Sequence, residues 1–259
     1  MSFLDEIVAR RREHYAAMRK PALPRIRVSG PSHRLRAALS AGDDARIIGE
    51  FKRASPSRGV IRENAQPAEM VALYESAGAC AVSVLTEPDY FHGSLDDLRA
   101  ARAATRLPIL RKDFVVDEFQ IDEAAEAGAD AVLLIVAALR DDELRRFREI
   151  AEGAIGLDAL VEVHTAEEMR RAVDCGATLI GVNNRDLRTL TTTLETSVEL
   201  ARLAPADAVL VSESGLSSPA DIARLRLCGY RGFLVGESLM RSADPVALIQ
   251  SLRGEPRRV

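Results

Sequence analysis

Glu50 and Lys52 stand two residues apart in IIGEFKRASPSRG (47–59), among Ile47, Ile48 and Phe51. Such apolar neighbours suit a buried strand, and side chains two apart on a strand share a face. A carboxylate and an amine on one side of an internal element can pass protons to and from a bound molecule. Four further runs repeat the pattern. Lys112 lies in LPILRKDF (107–114), Glu162 in LDALVEVH (157–164), Asn183 and Arg185 in LIGVNNRD (179–186), and Glu213 and Ser214 in AVLVSESG (208–215). Three carboxylates and two amines converging on one pocket would shift one another's pKa values, and such clusters are where acid–base catalysts are found. For any single pair an interior salt-bridge network is the alternative. Five strand ends of this kind argue against it, because buried ion pairs are poor stabilisers.

Amine usage points the same way. Of 35 basic residues, only Lys20, Lys52 and Lys112 are lysines. The chain therefore uses arginine for ordinary surface charge. Arginine cannot readily give up its proton, whereas a partly buried lysine can be tuned to do so. Two of the three lysines end predicted strands.

The elements that must position these residues follow from the same runs. After residue 45, short β-branched or Leu-rich segments alternate with charged, Ala- and Leu-rich segments of helical spacing, such as DDELRRFREIAEG and TAEEMRRAVDCG. CAVSVLTE (80–87), AVLLIVA (131–137) and GFLVGESL (232–239) bring the strand count to eight. Glycines in AEAGAD, VDCGAT and RLCGYRG suit helix C-terminal caps just before the next strand. Strand–helix alternation implies parallel strands with right-handed crossovers. Eight units in one chain predict a (β/α)8 TIM barrel over residues 46–259 as a single domain. A doubly wound open sheet is the alternative, but its glycine-rich first turn is missing: no GxGxxG occurs. Residues 1–45 carry two predicted helices, FLDEIVARRREHYAAMR and SHRLRAAL, separated by Pro21, Pro24 and Pro31. They are too few to hold a core of their own and are expected to form an N-terminal helical extension packed on the barrel.

Composition excludes other classes. The best apolar run, Ala131–Leu139, is about half the roughly 18 residues of a membrane span, and the charged N-terminus does not suit a signal peptide. A net charge of −4 with both signs interspersed, and no Trp, argue against nucleic-acid binding. Cys80, Cys175 and Cys228 are sparse, lack metal-ligand spacing and fall before or at the start of strands, so inert packing in a reducing cytoplasm is expected. His14, His33, His92 and His164 are scattered; only His164 ends a strand, where hydrogen bonding to a neighbour is expected. No metal or cofactor is called for. In barrels the loops after strands seven and eight often bind phosphate through backbone N–H groups. Here those ends read SESG (212–215) and VGESLM (235–240), with Gly215 and Gly236 allowing close approach. The expected ligand is a small phosphate ester.

At these positions the sequence resembles the indole-3-glycerol phosphate synthases. The likeness runs over nearly the whole chain, through GEFKRASPSRG (49–59), SVLTEPDYFHGS (83–94), LRKDF (110–114), LVEVH (160–164), GVNNRDL (181–187), VSESG (211–215) and LVGESLM (234–240). Phe51 departs from the aliphatic residue expected there, but it alternates outward between Glu50 and Lys52. The resemblance implies a cofactor-free ring closure of 1-(2-carboxyphenylamino)-1-deoxyribulose 5-phosphate to indole-3-glycerol phosphate, with loss of CO2 and water. It implies Lys112 as the general acid at the substrate carbonyl. Lys52 would hold the substrate carboxylate and act as an acid in dehydration. Glu162 and Glu50 would move the remaining protons, and the motifs leave open which is the base in dehydration. Asn183 joins this catalytic set and, with Arg185, Glu213 and Ser214, matches substrate-contacting positions. Ser55, Gly215, Gly236 and Glu237 fall where the family meets anionic groups, the last three chiefly through backbone. Loss of CO2 needs the carboxylate turned out of the aromatic plane, so an apolar wall is expected from Phe91, Phe114 and Leu133. For Leu133 an ordinary core position stays open. A monomer is expected.

Overall fold

Period-two alternation divides each strand between two environments. The computed structural model describes residues 2–18, 32–187 and 189–254; Lys20, Pro21, Pro24 and Pro31 lie outside them. Eight parallel strands close into a barrel: β1 (Arg46–Phe51), β2 (Ala81–Leu85), β3 (Ile109–Lys112), β4 (Ala131–Ile135), β5 (Asp158–Val163), β6 (Leu179–Asn183), β7 (Val209–Glu213) and β8 (Gly232–Val235). β8 returns to pair with β1, with Ile48 opposite Leu234. One alternate set, including Ile48, Leu110, Leu133, Leu160, Val211 and Leu234, fills the barrel interior. The other, including Ile47, Phe51, Val84, Val161 and Phe233, packs outward against the helices. Phe51 thus faces away from the mouth, where the Arg53 guanidinium lies over its ring. The predicted eight-stranded barrel is the one observed.

Boundaries shift where local chemistry dictates. The run predicted through residue 137 ends at Ile135 and tightens into a short 3-10 turn, Val136–Ala138. The strand predicted over 107–114 is only Ile109–Lys112. Beyond β1 the sequence reading missed a small hairpin, Ala54–Ser55 paired with Gly59–Val60. The expected helix caps are present: Gly128, Gly176 and Gly229 have φ of +90°, +81° and +96°.

The two N-terminal helices occupy opposite ends of the barrel. Helix α2 (Arg34–Ser40) lies under the N-terminal ends of the strands. There Leu35 and Leu39 are fully buried in the interior core, and Arg36 reaches Asp158 and Thr178. Helix α1 (Phe3–Ala17) starts on Ser2, whose side chain accepts the Asp5 N–H in a capping box. It lies beside the mouth. Its Arg11 grips Asp113 at 2.8 and 3.0 Å, and Arg111 donates to the same carboxylate at 3.0 Å. Asp113 also accepts from Thr86 and from the Phe114 N–H. The loop that follows Lys112 is therefore tied to α1 through a buried, fully partnered carboxylate.

Candidate active site

Inward-facing residues change character along the barrel axis. Ile48, Leu110, Leu160 and Val211 form an apolar floor. One step further toward the C-terminal ends stand Glu50, Lys112, Glu162, Asn183 and Glu213, lining a cavity of about 320 Å³. Every residue singled out in the sequence for catalysis, substrate contact or phosphate lines this one cavity.

Lys112 sits at its centre. Its Nζ donates to Glu162 Oε2 at 2.9 Å and lies 3.2 Å from Glu213 Oε2. Burial works against an ammonium here, but the carboxylates of Glu162, Glu213 and Glu50 outweigh it and hold the amine well above its ordinary range. Glu162 is likewise buried. The charges of Lys112 and His164, with hydrogen bonds from Lys112 and Asn183, overcome that burial and hold its pKa down to about 2. Glu213 goes the other way: burial, reinforced by the Glu162 charge, outweighs Lys112 and raises it to about 8. Beyond that ion pair with Lys112, neither Glu213 oxygen has a hydrogen bond among the described residues, and Ser55 Oγ has none. Unpartnered buried polar atoms facing a cavity mark a place where a ligand supplies the partners.

Across the cavity, Lys52 Nζ donates to Glu50 Oε1 at 2.7 Å, and Ser83 Oγ donates to Glu50 Oε2 at 3.3 Å. Two glycines make room for these carboxylates. A Cβ on Gly236 would come 2.4 Å from Glu50 Oε1, and one on Gly181 would come 2.2 Å from Glu213 Oε1. Gly236 is thus required by its neighbours' side chains, its φ of −123° being open to any residue. Gly215, at φ +78°, is required by the backbone itself.

Phe91 and Phe114 face each other at 6.3 Å between ring centroids, with Leu133 on the same cavity. The Phe91 loop is shaped by Glu87, a buried carboxylate that accepts the N–H groups of Asp89, Tyr90 and Phe91. Phe3 of α1 joins this wall, edge-on to Phe114 at 6.4 Å, a contribution that sequence reasoning missed. Also missed were Ser57 and Arg58 of the small hairpin. Arg58 pairs with Glu237 at 2.9 Å, and Arg185 donates to Ser57 at 2.5 Å. SPSRG carried the available signal, a basic residue in a loop leaving a polar strand end. His164 does bond a neighbour, with Nδ1 3.0 Å from Glu168 Oε2. Burial opposes its charged form, but Glu168 and Glu162 outweigh it and raise its pKa. Cys80 and Cys175 are buried and Cys228 is partly so. Burial raises the Cys80 thiol to about 11, far from a reactive thiolate. Among the described residues no group of histidines, cysteines and carboxylates is arranged to hold a metal ion.

The raised Glu213 has a measurable consequence. Its folded pKa of about 8 stands above the ordinary 4.5, so it favours the folded state at low pH. That contribution is lost as pH rises from about 5 to about 8. Glu213→Gln, which keeps the shape and cannot ionise, is expected to gain stability relative to the parent protein over that interval. Thermal melts of both proteins across the interval check this; parallel curves would contradict it.

A parallel barrel with a polar, cavity-forming layer at the C-terminal strand ends defines a TIM-barrel enzyme. The fold is shared with thiamine phosphate pyrophosphorylase from Pyrococcus furiosus, at a TM-score of 0.61 and 19% identity over 85% of this chain and 96% of that one. Closer relatives are more informative. The family model for indole-3-glycerol phosphate synthase matches residues 4–252. The chain is 46% identical to the indole-3-glycerol phosphate synthase of Carboxydothermus hydrogenoformans, over 96% of this chain and 99% of that one. It is 44% identical to that of Leptothrix cholodnii, over 96% and 98%, and 49% identical to that of Aromatoleum aromaticum, over 85% and 83%. The chain belongs to the indole-3-glycerol phosphate synthase family, carboxy-lyases of tryptophan biosynthesis.

Proposed function

We propose that the chain closes the indole ring of 1-(2-carboxyphenylamino)-1-deoxyribulose 5-phosphate, releasing CO2 and water, by lysine–glutamate acid–base catalysis. The observation that carries this reading is the pair of lysine–glutamate contacts at one mouth, Lys112–Glu162 at 2.9 Å and Lys52–Glu50 at 2.7 Å.

In ring closure the ring carbon bearing the carboxylate attacks the ketone carbon, and negative charge grows on the ketone oxygen. Lys112, held protonated by its carboxylate neighbours, delivers a proton there and is left as a neutral amine beside the ionised Glu162. The attack also places positive charge on the anilino nitrogen, which the surrounding carboxylates stabilise. Phe91, Phe114 and Leu133 press the aromatic ring so that the carboxylate turns out of its plane, and CO2 leaves as aromaticity returns. Dehydration then requires one proton delivered to the departing hydroxyl and one removed from the neighbouring ring carbon. Lys52 is the donor; Glu50, which it touches, and Glu162 are the groups within reach for the second task. Asn183 steadies Glu162 through its amide. At the far end Ser214, Gly215 and Gly236 offer backbone to the phosphate. Arg185 supplies charge there, and Glu237 begins a short helix.

The reading extends to a monomer working in the cytoplasm. Three free cysteines suit a reducing compartment. The test is growth of indole fluorescence when the substrate is added to purified protein, which contains no Trp and so has little background of its own. Product emission supports the reading. A flat trace with saturable substrate binding would replace it with a catalytically silent binding barrel.

A further inference from the structure

Asn183 and Asn184 are adjacent at the end of β6, so alternation sends their side chains to opposite faces. Asn183 lines the cavity. Asn184 turns into the layer behind it and is 1% exposed. Its Oδ1 accepts the Ser197 N–H at 3.1 Å. That contact fixes the amide orientation, since the other end must then be the donor. Nδ2 lies 3.0 Å from Ser212 Oγ, 3.0 Å from the Glu213 carbonyl and 3.1 Å from the Ser214 carbonyl. The Asn184 backbone adds a further bond, its N–H donating to the Glu213 carbonyl at 2.9 Å. One buried side chain thus ties β6, the end of β7 and the helix Glu195–Ala201 together.

The residue it holds is conformationally unusual. Ser214 has φ +66° and Gly215 has φ +78°. A left-handed serine is strained and persists only where surrounding contacts impose it. The turn matters because Ser214, Gly215, Leu216 and Ser217 all line the cavity, while Glu213 just before it reaches Lys112.

We infer that Asn184 is a positioning residue for the anion-binding turn: its amide holds Ser214 in the left-handed conformation and so sets the backbone that meets the substrate's phosphate. The inference rests on the function proposed above for the identity of the anion, but it can be tested without turnover. Inorganic phosphate is the probe, titrated against the whole protein, alongside KM and kcat for the carboxyphenylamino substrate. Asn184→Ala is expected to bind phosphate about tenfold more weakly, a change of about 1.4 kcal/mol, and to raise KM by a similar factor with a smaller effect on kcat. Adding Ser214→Gly to that variant is expected to restore much of the phosphate affinity, because glycine adopts positive φ without being held. Ser212→Ala, which removes one partner of Asn184 but not its bond to Ser214, is expected to lower stability and leave phosphate affinity as it was. If Asn184→Ala does not fold, Asn184→Leu, close in shape and with no donor at any pH, gives the same readout.

Unchanged phosphate affinity in a folded Asn184 variant would overturn the inference, as would a Ser214→Gly change that restores nothing. Parent protein that binds phosphate without turning over would sink the proposed reaction and leave Asn184 to be judged by binding. Parent protein that binds no phosphate would overturn the anion-binding turn itself.

Discussion

Lys112→Ala is expected to lose about three orders of magnitude in turnover, within the range for removal of a general acid, and to remain folded. The loss follows from what Lys112 does in the proposed reaction: among the described residues no other amine lies between Glu162 and Glu213, and none of their carboxyl groups replaces a charged donor at the ketone oxygen. Folding survives for a reason the geometry supplies. Without the ammonium, two buried carboxyl groups face each other, and the cheaper state is one in which a proton is taken up. The pair then holds its shared proton more tightly in the folded state than in the unfolded chain. The variant's stability is therefore fully present at low pH and falls as pH rises through the shifted values. Turnover measured by product fluorescence, with thermal melts at acidic and alkaline pH, checks both halves. Near-normal turnover would overturn the assignment of Lys112.

Lys52→Arg separates charge from proton donation at the second lysine. The guanidinium keeps the positive charge that holds the substrate carboxylate, and can do so through two hydrogen bonds, but it does not release a proton at any working pH. The space that Gly236 leaves beside Lys52 Nζ, 3.0 Å from where a Cβ would stand, helps to accommodate the larger group. The expected result is a KM within a few-fold of the parent value and a kcat lower by about two orders of magnitude. Lys52→Met, which loses the charge as well, is expected to raise KM in addition. If Lys52→Arg instead raises KM and spares kcat, Lys52 only holds the substrate.

Much of this site was legible in the sequence because a barrel converts local pattern into a shared mouth. Glu50, Lys112, Glu162, Asn183 and Glu213 each sit at the end of an apolar run, and the fold needs only parallel closure to bring five such ends together. The scarcity of lysine made Lys52 and Lys112 stand out further. What stayed hidden depends on long-range pairing. Nothing near Phe3 announces that it joins Phe114 in the cavity wall, more than a hundred positions away. Arg111 belongs to the arginines whose type alone suggests ordinary surface charge. Yet Arg111 faces outward, buried with Asp113 and Glu123, while Lys112 faces the cavity. The second asparagine of VNNRD was equally silent: a polar side chain on a strand's outer face gains meaning only from the helix and the neighbouring strand that it meets. The sequence suggests that Gly236 makes room for an anion, and the structure adds a nearer reason in the Glu50–Lys52 pair.

The substrate's own carboxylate reports most directly on the reaction. With carboxyl-13C-labelled substrate and purified protein, labelled CO2 and indole product are quantified in one time course. Both are expected to rise together, one CO2 for each ring formed, and both to vanish in Lys112→Ala. CO2 release without a ring, a ring that keeps the label, or an unaffected Lys112→Ala variant would contradict the proposed function.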